Sequence, residues 1–115
     1  MREPPPFSHV CADLVGIAPA RLRDRDVLSG LLIAAAGAAG FTAIEPAHVR
    51  TLPNGDSAGV LLLEGCHMTL HAFPGRGLLL LDVLAPSTQD VQKAVDVFTR
   101  RLAPATVRSE TRGRG

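Results

Sequence analysis

The sequence predicts an α+β fold: a two-layer α/β sandwich, with a mainly antiparallel sheet and two helices on one face, in the order β-α-β-β-β-α-β. Three observations predict it. Two stretches, Pro19 to Gly40 and Val91 to Leu102, carry apolar residues at helical spacing. Around them lie short apolar or alternating segments separated by turn residues, as neighbouring antiparallel strands require. Each helix offers only one apolar face, which a sheet can cover.

Taken in order, residues 1–6 (Met-Arg-Glu-Pro-Pro-Pro) read as a disordered leader and residues 7–110 as a single domain, with 111–115 as a flexible tail. Phe7 to Ile17 is β-branched and apolar, a first strand. In the first helix Leu22, Val27, Leu28, Leu31, Leu32 and Ala35 form the apolar face. Pro19 suits its first turn and Gly37 and Gly40 its end. Phe41 to Ile44 and His48 to Leu52 read as a strand with an irregularity at Glu45-Pro46. Pro53-Asn54-Gly55-Asp56 is a tight turn, because Asn-Gly accepts positive φ. Ser57 to Glu64 is a strongly apolar strand, and His67 to Phe73 alternates around Met68, Leu70 and Ala72. Pro74-Gly75-Arg76-Gly77 turns the chain into Leu78 to Leu84, whose four successive leucines predict a strand covered on both faces, by a helix and by a second subunit. Ser87 is the expected N-cap of the last helix, with Asp90 completing a weak capping box. Ala105 to Glu110 closes the sheet.

Composition narrows the function classes. Hydrophobic residues make up 46% and charged residues 20%, as in an ordinary globular domain. Twelve basic against eleven acidic side chains leave no net field to attract nucleic acid or an anionic membrane. Four Phe with no Trp or Tyr argue against base-stacking platforms. No apolar run has the length of a signal peptide core or a membrane span, so a cytoplasmic setting is expected. There Cys11 and Cys66 are free thiols rather than a disulfide.

Chemistry concentrates at Glu64-Gly65-Cys66-His67-Met68-Thr69-Leu70-His71-Ala72-Phe73-Pro74. One thiol and two imidazoles share a strand, the ingredients of nucleophile and base chemistry. They make a poor metal site, because Cys66 and His67 point to opposite strand faces and no CxxC is present; no metal is expected. By strand parity Cys66 and His71, five residues apart, also lie on opposite faces. A free thiol at this position serves either as a small apolar core residue or as a nucleophile.

This block resembles the self-cleavage segment of the small bacterial and archaeal S-adenosylmethionine decarboxylases. There it reads Glu-Ser-His-Leu-Thr-Ile-His, then Thr or Ser, Trp or Phe, and Pro-Glu. Ser8-His9-Val10, Ala47-His48-Val49-Arg50, Leu52-Pro53-Asn54-Gly55, Ser57-Ala58-Gly59-Val60 and Arg112-Gly113-Arg114 are similar to flanking segments, so the likeness spans nearly the whole chain. The resemblance implies a proenzyme that cuts itself at Gly65-Cys66, leaves a pyruvoyl group derived from Cys66, and decarboxylates S-adenosylmethionine or a related amino compound for polyamine (spermidine) synthesis. It also implies a homodimer. Carried over by position, Cys66, His71 and Ser57 are the catalytic candidates, with Ala58 an equal match to the auxiliary serine. Leu52, Gly65, His67 and Thr69 are the substrate-binding candidates. Three positions depart from the family: Gly65 and Gly75 replace glutamates, and Pro86 stands where a proton-donating cysteine belongs. The alternatives are an uncleaved ligand-binding or regulatory homologue, and an enzyme using Cys66 as nucleophile with His71 as base.

Overall fold

The computed structural model describes residues 3–115 and has the expected sandwich, a six-stranded antiparallel sheet with helices on one side. Its elements are β1 (Phe7–Val15), α1 (Pro19–Leu22), α2 (Arg25–Ala39), β2 (His48–Thr51), β3 (Ser57–Leu63), β4 (Cys66–Phe73), β5 (Leu78–Pro86), α3 (Val91–Leu102) and β6 (Thr106–Arg114). The strands lie in the order β2-β3-β4-β5-β1-β6. Four strands, not three, separate the helical stretches. The chain reverses at Glu64-Gly65, where Gly65 takes φ 81°, so that Leu63 pairs with Cys66 and β3 and β4 form a hairpin.

Strand alternation sorts the side chains cleanly. Val10, Ala12, Leu14, Leu61, Met68, Leu70, Leu79, Leu81 and Val83 are buried beneath α2 and α3. Phe98 of α3 is fully buried at the centre of this layer. The opposite sheet face carries no helix. It shows His9, Cys11, His67, Thr69, His71 and Asp82 among the half-exposed leucines Leu62 and Leu80. The leucine run is therefore helix-covered at Leu79 and Leu81 and uncovered at Leu78 and Leu80.

Several boundaries differ from expectation, each for a local reason. The first helix breaks at Arg23-Asp24, because the Asp24 carboxylate accepts hydrogen bonds from the Asp26 and Val27 amides and starts a new helix. Gly40, at φ 77°, ends it. Phe41 to Ile44 is not a strand; it touches the sheet by one bridge, Ala43 with Leu63, and by hydrogen bonds flanking it. Asp90, not Ser87, caps α3, because the Ser87 hydroxyl and amide are taken by the carbonyls of Pro5 and Pro6. Those bonds also tie down residues 5 and 6 of the expected leader; Met1 and Arg2 lie outside the described residues. The expected tail continues β6, with Arg112 and Arg114 paired against His9 and Phe7. β6 forms one edge of the sheet, and every residue of it is exposed.

Candidate active site

Two separate places hold the reactive side chains. The first is the tip of the β3–β4 hairpin. Gly65 and Glu64 are exposed, and an added side chain at Gly65 would meet nothing within 4 Å, so the Gly65–Cys66 peptide stands open. The Glu64 amide is held by the Thr42 carbonyl at 2.8 Å. Cys66 opens β4 with the parity of Met68 and Leu70, so its side chain turns to the helix layer and packs, half-buried, against the core. That burial raises the pKa of its thiol above the ordinary value, by disfavouring the thiolate. Beside the turn is a cavity of about 290 Å³, lined by Phe41, Thr42, Leu63, Glu64, Pro86 and Gln89.

The second place is the uncovered sheet face. Asp82 of β5 accepts a hydrogen bond from Thr69 on one oxygen. Its other oxygen lies 2.8 Å from His9 Nε2 and 3.7 Å from His67 Nε2. Arg114 Nη1 sits 3.0 Å from His9 Nδ1. A guanidinium only donates, so Nδ1 accepts and Nε2 carries the proton it gives to Asp82. Cys11 Sγ lies 4.0 Å from the same Nε2. That nitrogen is already a donor, so His9 is not placed to deprotonate Cys11. The network fixes a carboxylate and two imidazoles in place rather than activating a thiol. Shallow cavities of about 170 and 250 Å³ flank Cys11 on this face.

The sequence-predicted residues divide between these places and others. His67 and Thr69 join the Asp82 network. His71 is exposed on the same face, stacked on Phe73 with ring centroids 6.4 Å apart. Cys66 and His71 lie on opposite faces, as parity requires, and about 16 Å apart along the strand at 3.3 Å per residue; within one chain they do not meet. The proposed Cys66/His71 thiol enzyme has no geometric support. Ser57 is 2% exposed, faces the helices, and shares a hydrogen bond of 3.2 Å with Thr51. It pairs with Ala72, at the other end of the hairpin from Cys66. The β3–β4 register puts Ala58, not Ser57, beside His71. Leu52 lies in the turn at that same far end, where its backbone bonds Asp56 and Gly55. His48, exposed on the edge strand, pairs with Glu45 at 3.3 Å.

Sequence reasoning missed His9, Asp82 and Arg114 as one centre. Asp82 within a leucine run was the available signal; the β1–β5 and β1–β6 registers that gather its partners were not. Among the described residues, no group of three or more His, Cys, Asp and Glu side chains is arranged to hold a metal ion, and no helix is long and apolar enough to cross a membrane.

Comparison with known proteins agrees with the motif. A family model for S-adenosylmethionine decarboxylase matches residues 8–115. An S-adenosylmethionine decarboxylase proenzyme of Brevibacillus brevis is 34% identical over 97 residues, covering 84% of this chain and 72% of that one. The proenzyme of Archaeoglobus fulgidus is 25% identical over 108 residues, covering 93% and 96%. The crystal structure of adenosylmethionine decarboxylase from Aquifex aeolicus aligns with a TM-score of 0.89 at 26% identity, covering 98% of this chain and 93% of that one. With the motif, the sheet order and a match over residues 8–115 in agreement, the chain belongs to the S-adenosylmethionine decarboxylase family.

Proposed function

We propose that this chain is a self-maturing, pyruvoyl-dependent decarboxylase of S-adenosylmethionine or a related amino compound, cut between Gly65 and Cys66. The carrying observation is the setting of that peptide: an exposed hairpin tip, at the family's cleavage position, followed by a residue with a heteroatom on its β-carbon. The donor set fits the prosthetic group, because a pyruvoyl forms only from a residue whose β-substituent can leave, and the Cys66 thiol meets that need. When present, the pyruvoyl supplies a ketone that withdraws electrons as carbon dioxide leaves the substrate. The chain's own part is to hold residue 66 at the end of β4, against Leu63, beside the cavity that Glu64 and Gln89 line. Glu64 is the one carboxylate of that cavity and suits a cationic substrate.

The sheet order favours survival of the cut. Residues 1–65 supply β1, α1, α2, β2 and β3; residues 66–115 supply β4, β5, α3 and β6. Because β1 lies between β5 and β6, the halves interleave.

The uncovered sheet face is the proposed homodimer contact. Half-exposed Leu62 and Leu80 lie there beside the Asp82 network, on a sheet face that no helix of this chain covers. Two free thiols, Cys11 and Cys66, suit a reducing, cytoplasmic setting.

The uncleaved ligand-binding or regulatory reading is favoured by two observations: Cys66 is turned away from every histidine of its strand, and its pKa is raised rather than lowered. Intact-mass spectrometry separates the two. The decarboxylase reading requires two fragments split before residue 66, the second with a blocked N-terminus, and carbon dioxide release from S-adenosylmethionine. A single intact mass refutes it and leaves binding.

A further inference from the structure

The family's cleavage uses a serine oxygen, and here the atom in that place is sulfur. We infer that maturation moves the Cys66 sulfur onto Gly65, so that fragment 1–65 ends in a thiocarboxylate and the chain is a single-turnover donor of sulfide-level sulfur. This inference rests on the cleavage reading above.

The atoms dictate the outcome. Cys66 Sγ attacks the Gly65 carbonyl carbon; the Gly65–Cys66 carbon–nitrogen bond breaks, and the thiol proton ends on the freed nitrogen. The two halves are then joined by a thioester. Loss of the Cys66 Cα proton breaks the bond between Cβ and sulfur, and sulfur departs with the acyl group, as a thiocarboxylate on Gly65. Residue 66 becomes an enamine, shifts to an imine, and takes up water as ammonia leaves, which gives the pyruvoyl ketone. One water is consumed and one ammonia released, with no oxidant or reductant. With serine the same steps leave an ordinary carboxylate, because the departing atom is oxygen.

The structure shapes both ends of this exchange. The Gly65 carbonyl is unshielded by any side chain of its own, in a turn with nothing within 4 Å of the glycine's missing Cβ. Cys66 itself is half-buried and packs against the core, so Sγ lies on the helix side of this open turn. After the cut, Gly65 is one residue beyond Glu64, whose amide stays anchored to Thr42. The thiocarboxylate therefore projects into solvent from a fixed base. It is open to an electrophilic acceptor, or to water, which releases hydrogen sulfide.

The test is denaturing mass spectrometry of the full chain immediately after purification at neutral pH, with a sulfonyl azide, which captures thioacids and not carboxylates. The expected result is fragment 1–65 heavier than its carboxylate form by the difference between sulfur and oxygen, captured by the azide, with a pyruvoyl-blocked fragment 66–115. On standing, one sulfide is released per cut chain, and none from Cys66→Ser, whose fragment 1–65 carries a carboxylate from the start. A pyruvoyl-blocked second fragment, with a carboxylate on Gly65 and no sulfide, overturns the inference and leaves the decarboxylase reading standing. A cut chain with a free N-terminal cysteine overturns the inference by showing hydrolysis in place of elimination. An uncut chain overturns the maturation reading itself, and the inference with it.

Discussion

Breaking the Gly65–Cys66 peptide is expected to weaken the molecule without dispersing it. No strand pairing is lost: Leu63 still faces Cys66, and every ladder from β2 to β6 is intact. What disappears is the tether. A short linker holds its two ends at an effective concentration on the order of millimolar. At about 10 µM protein the cut pair is therefore disfavoured by roughly 100-fold, or about 2.7 kcal/mol. For a domain of this size that lowers the melting temperature by about 10 °C. Each further tenfold dilution removes about 1.4 kcal/mol more. The assay pairs a denaturing gel, which shows two bands, with gel filtration, which shows one species of full-chain mass or its dimer, and with thermal melts over a dilution series. Separation of the fragments on the column at micromolar concentration, or a melting temperature of the cut form that ignores dilution, refutes the interleaved sheet.

Further predictions address the core, a cap and the thiol. Phe98→Ala empties a fully buried site under the sheet and is expected to cost about 3–5 kcal/mol, read from the urea midpoint at unchanged slope. Asp24→Ala removes the acceptor for two amides at the start of α2 and is expected to cost about 1 kcal/mol, seen as a small drop in melting temperature. In the uncut chain, burial holds the Cys66 thiol protonated to a higher pH than usual, so its alkylation by iodoacetamide begins at more alkaline pH in the folded chain. Unfolding in urea is expected to move that onset down to the ordinary thiol range; an onset that stays put shows that burial is not the cause.

Much of the fold was legible because strand alternation and helical spacing are local. The face on which Met68 and Leu70 are buried and the opposed orientations of Cys66 and His71 both follow from parity. The misses share a physical origin in distant partners. Ser87 is a sound cap by type, but the Pro5 carbonyl, 82 residues away in sequence, and that of Pro6 claim it. Arg112 and Arg114 read as solvated tail until β1 supplies the ladder that orders them. The site divides the same way. Cys66 at the position of the family's cleavage serine was visible in the motif. The cluster of His9, Asp82, Thr69 and Arg114 needs four strands in register, and no spacing within one segment encodes that.

The exposed edge strand β6 constrains how copies of this molecule can associate. Backbone groups along a free edge invite a neighbour to extend the sheet, and filaments begin that way. Two copies of β6 laid antiparallel over their full length would set Glu110 against its twin and Arg108 against Arg112 on the same face. Like charges placed directly opposite oppose that register. Sideways growth is thus discouraged by three side chains, and stacking through the broad face is left as the cheaper way to assemble.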